Sequence, residues 1–231
     1  MNRPEALAEV FSVLEAARIV FWDFDGVIKD SVEAKREAFV RLFTGSDPAI
    51  LRRIRQHHEC NGGMSRFEKL PLYLRWVGED PSPSVVDAYA ARFKAEVVEA
   101  VIASPWVPGV REYIAERRGN RTFVLVTATP QREIELILTR LGLAGHFAMV
   151  HGSPTRKRDA IKAGLSSSRV STTDAVLVGD SETDLRAALE TGCEFVLRLH
   201  ETNRHLLEKH SGPVAKALNP RMWRMDGTVS D

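Results

Sequence analysis

The stretch Arg18-Ile-Val-Phe-Trp22, running straight into Asp23-Phe-Asp25-Gly26-Val27, decides the fold. A short run of apolar residues suits a strand buried on both faces, and this one ends abruptly in two carboxylates and a glycine. Upstream, Leu7, Val10, Phe11 and Leu14 recur at helical spacing, so a helix feeds the strand. Downstream, similar apolar runs return at Thr122-Phe-Val-Leu-Val126, Phe147-Ala-Met-Val150, Ala175-Val-Leu-Val178 and Phe195-Val-Leu-Arg-Leu199, with helical patterns between them. One of these helices is framed by Thr129 as N-cap, Pro130 at the first helical position and Gly142 just past the end. Another runs from about Thr183 to Gly192. Apolar strands alternating with helices predict a doubly wound α/β fold with a parallel sheet covered on both faces. Ligands of such sheets bind beyond the carboxyl ends of the strands.

From about Ile28 to Pro105 the alternation stops, and the pattern reads as helix after helix. Asp47-Pro48 starts one helix, Ser65-x-x-Glu68 forms a capping box for another, and Ser82-Pro83 opens a long amphipathic segment from Val85 to Ile102. Pro71 is expected to kink or end the second of these. The predicted organisation is therefore an α/β core made of residues 1-27 and 106-231, interrupted by an α-helical insertion at 28-105. The tail around Arg221-Met-Trp-Arg-Met reads as an edge strand or a packed terminus.

The bulk composition narrows the partners. A chain of 231 residues with 44% hydrophobic and 27% charged residues is of globular type, neither disordered nor low in complexity. A net charge of +1 lacks the basic excess with which proteins displace counterions from a nucleic-acid backbone, so nucleic acid is not expected as a partner. Glu5, Glu9 and Glu15 interrupt the first helix, which is neither a signal peptide nor a membrane span, and a cytoplasmic location is expected. The 2 cysteines, Cys60 and Cys193, are far apart and support neither a disulfide framework nor a zinc site.

Each strand end carries suitable chemistry. Asp-x-Asp-Gly alone could be a turn, since Asp and Gly favour turns. The second strand, however, ends in Thr127-Ala128-Thr129 at a helix N-terminus, where free N–H groups and the helix dipole favour an anion such as phosphate. After the third comes His151-Gly-Ser-Pro-Thr-Arg156-Lys157-Arg158, which supplies cations. The fourth ends in Gly179-Asp180-Ser-Glu-Thr-Asp184, which adds carboxylates of the hard-oxygen type that suits Mg²⁺.

In the order and spacing of these four motifs the chain resembles the haloacid dehalogenase-like hydrolases, over a core from about Val20 to Leu199, and especially the phosphoglycolate phosphatase and β-phosphoglucomutase-like branch. The resemblance implies a Rossmann-like core with a helical cap. It makes Asp23 the nucleophile and Asp25 the general acid/base; the dehalogenase branch lacks this second Asp, so phosphoryl transfer is the implied chemistry. Thr127 and Ala128 would hold the transferring phosphate with Lys157. The metal, Mg²⁺, would be held by Asp23, the backbone carbonyl of Asp25, Asp180 and the supporting carboxylate Asp184. The cap loop Asn61-Gly-Gly-Met-Ser65-Arg66 is similar to one that touches the part of the substrate not transferred, and Lys35 lies on the first cap helix, free to face the site or water.

The implied activity is Mg²⁺-dependent hydrolysis of a small phosphorylated metabolite, most plainly a sugar phosphate, through an aspartyl-phosphate on Asp23, by a monomer or homodimer without membrane partners. Two other readings stay open: a phosphosugar mutase, against which the fourth motif has Gly179-Asp180 where mutases carry two acids, and a catalytically silent protein that binds a phosphorylated ligand. Plain structural readings stand beside several residues. Arg156, Arg158 and Lys162 around Lys157 make a solvated basic face the ordinary reading of that run. Ser65 and Arg66 suit a simple N-cap and surface arginine. Glu182 reads as exposed, Trp22 as core, and His57, His58 and His151 as strand-end or helix-surface histidines without ligand spacing.

Overall fold

The computed structural model describes residues 3–117 and 119–218. The chain opens with α1 (Arg3–Ala16), which leads into β1 (Ile19–Trp22). Four helices follow with no strand element among the described residues: α2 (Val32–Leu42), α3 (Pro48–Cys60), α4 (Arg66–Trp76) and α5 (Pro83–Ala103). The alternating part then resumes with α6 (Val110–Arg117), β2 (Thr122–Pro130), α7 (Gln131–Arg140), β3 (Met149–Ser153), α8 (Lys157–Ser168), β4 (Ala175–Gly179), α9 (Glu182–Thr191), β5 (Glu194–Arg198) and the two-residue β6 (Val214–Ala215).

The strands form one parallel sheet in the order β3-β2-β1-β4-β5-β6. Alternation along β1 explains why both faces are dry. Val20 and Trp22 join α1, α6 and α7 in one hydrophobic cluster, and Ile19 and Phe21 join α8 and α9 in the other. The fold is a doubly wound α/β architecture. The chain crosses from one side of β1 to the other between β3 and β4, so the carboxyl end of β1 lies at the topological switch point, where such sheets bind ligands.

Local details depart from the sequence expectations in three places. Thr129 is not the N-cap of α7: β2 stays extended through Pro130, which itself precedes the first helical residue, Gln131. The reason is a register shift. Val126 pairs with His151 and Pro130 with Ser153, so β2 has two extra residues here, and Thr127, Ala128 and Thr129 are released from the ladder. Pro71 does not end α4, which continues to Trp76. A helical proline costs about 3 kcal/mol, while fully burying Tyr73 and Leu74 beyond it returns about 1.5–3 kcal/mol each, so packing carries the helix through. His58 is not on a helix surface. It sits one turn after Ile54 on the buried side of α3 and is only 3% exposed. The predicted edge strand or packed tail at Arg221 lies outside the described residues.

Candidate active site

Asp23 is the first residue past β1 and is held there by backbone geometry. Its N–H donates to the carbonyl of Val178 at 3.0 Å, extending the β1–β4 ladder by one step. Its Oδ1 accepts the Phe24 N–H at 2.7 Å, which leaves Oδ2 turned to Lys157. The chain then reverses at Gly26, whose φ of +76° favours glycine; a Cβ there would also fall 2.0 Å from Asp180 Oδ2. Glycine at this turn is therefore what allows the carboxylates of the first and fourth motifs to approach.

Lys157, the first residue of α8, is buried, contrary to the ordinary reading of its basic run. Its Nζ donates to Asp184 Oδ1 at 2.5 Å and lies 2.7 Å from Asp23 Oδ2. Asp184 in turn closes a capping box with Ser181, whose N–H donates to Asp184 Oδ2 at 3.1 Å. Asp180 is buried and accepts a contact from His200 Nε2 at 2.9 Å, while its carbonyl accepts from Asn203 Nδ2 at 2.7 Å. One oxygen from each of Asp23, Asp180 and Asp184 lies within 4.8 Å of the others. Burial pushes the Asp23 carboxyl well above its usual range, Lys157 opposes that, and Asp184 and Asp180 add to it. Burial likewise raises Asp180, with His200 opposing. One ammonium is thus set against three buried carboxylates. That excess of hard anionic oxygen fits a divalent cation.

Asp25 is turned away from this trio. Its carboxylate accepts from Ser31 Oγ at 2.6 Å and from Thr129 Oγ1 at 3.1 Å, and it pairs with Lys35, whose Nζ also donates to Thr129 Oγ1 at 2.7 Å. Burial would raise this carboxyl, but Lys35 and the hydrogen bonds outweigh it and leave it below its usual value. Lys35 therefore faces the site and not water. Thr127 is buried with its Oγ1 accepting the Thr129 N–H at 3.2 Å, and Thr127 and Ala128 line the same cleft.

Above the sheet edge the cleft is closed by α2–α5 and encloses about 540 Å³, its mouth included. Ser65 caps α4, and its Oγ lies 3.1 Å from Ser153 Oγ at the end of β3. Arg66 is buried, stacks 4.5 Å from the Phe93 ring and donates to Glu133 Oε1 of α7 at 2.5 Å. Gly63 sits against α9: a Cβ on it would meet Thr183 Oγ1 at 1.8 Å and Ser181 Oγ at 2.4 Å. His57 bonds Tyr73 Oη at 3.0 Å, half-exposed Glu182 pairs with Lys209 at 3.1 Å, and Trp22 packs edge-on to Phe123, so none of these joins the acidic cluster. Sequence reading missed Ser31, Glu133, His200 and Lys69, and took the buried His58 for a surface histidine. Only Lys69 had a local signal, its place one turn beyond Arg66 on the same helix face.

The model for haloacid dehalogenase-like hydrolases matches residues 20–197, and the chain belongs to that family. Within it the chain is an enzyme of the phosphatase class, a phosphoric monoester hydrolase. It is 26% identical over 187 residues to a phosphoglycolate phosphatase of Pseudomonas putida, which spans 78% of this chain and 68% of the relative. To phosphoglycolate phosphatase 1 of Pseudomonas aeruginosa it is 24% identical, over 90% of this chain and 77% of the relative. Among solved structures it is similar in fold to a mutant of CbbY from Rhodobacter sphaeroides in complex with xylulose-(1,5)bisphosphate, with a TM-score of 0.72, 19% identity and coverage of 88% and 96%. A predicted phosphatase from Clostridium acetobutylicum gives a TM-score of 0.69 at 17% identity over 90% and 98%. No helix of the described residues is long and apolar enough to cross a membrane.

Proposed function

We propose that this phosphatase hydrolyses a small phosphorylated metabolite with Asp23 as nucleophile, and that residues 28–105 act as a cap over a core made of 1–27 and 106–231. The observation that carries the reading is the position of Asp23: a carboxyl oxygen at the switch point, beside the Lys157 ammonium at 2.7 Å and within a buried trio of carboxylates. A phosphate monoester is itself anionic, so a carboxylate attacks it only where charge is cancelled.

In this scheme Asp23 Oδ displaces the leaving alkoxide in line at phosphorus and becomes an aspartyl-phosphate. Lys157 draws off charge from the transferring oxygens, and Thr127 with the backbone at Ala128 orients them. Asp25 protonates the leaving oxygen and later takes a proton from the water that cleaves the acyl phosphate. The incoming phosphate opposes the influence of Lys35 on Asp25, which favours the protonated form on substrate binding. Mg²⁺, held by Asp23, the Asp25 carbonyl, Asp180 and Asp184, would supply further neutralisation of the phosphoryl charge. The relatives named for phosphoglycolate support a small metabolite as substrate, of sugar-phosphate size or below. A cytoplasmic site of action belongs to the same reading, because such ionic metabolites do not cross membranes unaided.

The test is phosphate release from a panel of phosphorylated metabolites with Mg²⁺ or with a chelator. Continuous, metal-dependent release is expected; isomerisation without release would mark a mutase, and neither would mark a binding protein. Asp23→Asn, nearly isosteric, should abolish release while thermal unfolding stays cooperative. Substantial turnover by a folded Asp23→Asn enzyme would remove Asp23 from the role.

A further inference from the structure

Arg66 and Lys69 stand one turn apart on α4, line the same cleft and are both buried, at 6% and 1% exposure. Their electrostatic situations differ. Arg66 is already answered by Glu133 at 2.5 Å, a partner equally buried. No carboxylate pairs with Lys69 among the described residues; its Nζ meets His58 Nδ1 at 3.1 Å and stands 5.6 Å from the centre of the Phe39 ring. Asp25, the cleft acid whose charge acts on Lys69, is itself taken by Lys35. An ammonium taken out of water without a counter-charge is costly, and its position in a cleft that opens onto Asp23 says what would relieve the cost.

We propose that Lys69, backed by His58, is the subsite for a second anionic group on the substrate, so that the enzyme selects phosphate monoesters whose leaving group ends in a carboxylate or another phosphate. The inference rests on the phosphatase reading above for the first anion and on this cluster alone for the second. The cation count supports it. With Arg66 cancelled by Glu133, Lys35 by Asp25, and Lys157 engaged by Asp23 and Asp184, Lys69 is the uncancelled positive charge among the cleft's described cations. Burial, with Lys35 adding to it, brings the free Lys69 ammonium down to about 7, as expected of a site that lacks its counter-ion. His58 is driven well below its usual value by burial and by Lys69, so it stays neutral and can orient the ammonium without competing for the anion. Phe39 and Phe93 line the cleft beside these groups and keep water from screening the charge.

Calorimetric titration of the Mg²⁺-loaded enzyme with non-hydrolysable probes tests the subsite directly. The probes are 3-phosphonopropionate and propane-1,3-bisphosphonate, each against neutral propylphosphonate. The anion-ended probe should bind at least about tenfold more tightly than the neutral one, the span of a charge-assisted hydrogen bond. Whichever of the two anionic probes gives the larger ratio identifies carboxylate or phosphate as the natural terminus. Lys69→Met should bring the ratio to within about twofold of one, and Lys69→Gln, which keeps donors without charge, should lie between. A wild-type ratio near one overturns the proposal, as does a ratio that survives loss of the ammonium. Because these are binding ratios, they decide the matter even if no monoester releases phosphate, an outcome that would sink the phosphatase reading by itself.

Discussion

At Lys157 a single ammonium meets two carboxylates, and both its burial and its partners are unusual for a residue in a run of surface-type cations. Lys157→Met removes that charge while keeping the length of the side chain. Turnover should drop by about 10²–10³, the cost of losing one preorganised charge stabiliser, in phosphate-release assays at saturating substrate. At Lys69 the expected signature is one of stability against pH. Its folded value is depressed from the usual 10.5 to about 7 by burial and Lys35. Between those two values the unfolded chain therefore binds more protons than the folded one, and stability from this residue rises with pH. The penalty is full below about pH 7 and disappears above about 10.5. Lys69→Met should accordingly raise the melting temperature more at pH 6.5 than at pH 9, measured without ligand. An equal gain at both pH values would show that Lys69 is not carried as a buried cation. The places of Asp23 and Asp180 at the sheet edge were legible in the sequence, because each directly follows an apolar strand, and Thr127 and Lys157 came into view because they lie where a strand hands over to the next helix. Ser31, His200 and Glu133 were not, because their partners stand 6, 20 and 67 residues away and no local pattern announces such contacts.

Among the elements, α4 shows where local rules suffice and where they fail. Its start was readable, since the Ser65–Glu68 capping box is a contact within one turn. Its passage through Pro71 was not, since burial of Tyr73 and Leu74 against other helices decides it. The end of β2 failed for a related reason: Thr129-Pro130 is ordinary helix-start chemistry, but the Thr129 hydroxyl is committed to Asp25 and Lys35. The Arg66–Glu133 pair ties α4 to α7, and breaking one side leaves a buried charge alone. Arg66→Ala should cost about 3–5 kcal/mol by chemical denaturation, and adding Glu133→Gln should recover much of that loss. Additive losses would mean the two side chains do not interact. Gly63→Val tests the neighbouring contact with α9, because its side chain would collide with Thr183 on that helix and with Ser181, the residue that caps it. A rise in KM with little change in unfolding midpoint is the expected result, read from initial rates and melting curves on the same preparation.

For the whole molecule, alternation of strand and helix gave the sheet, and the interruption after β1 gave the four helices, because both are periodic over tens of residues. The acidic cluster that fits a cation is a property of the whole chain too, since Asp23 and Asp184 belong to motifs far apart in sequence. Mg²⁺ at about a hundred times its dissociation constant should raise the melting temperature by roughly 5–10 °C, and Asp180→Asn should lose most of that rise. A shift that persists in the variant would place the ion elsewhere. The sheet order has a consequence for synthesis on the ribosome. β1 hydrogen-bonds to β2 and β4, so Ile19–Trp22 has no neighbour until Thr122 emerges and gains its second only after Ala175. At about 5–20 residues per second the first wait lasts roughly 5–20 s. Throughout it the nascent chain carries a wholly apolar strand segment without a partner, and α2–α5 emerge one after another before that partner does. Slowing translation would lengthen that exposure, so soluble yield should respond to a chaperone that covers the nascent strand rather than to slower elongation.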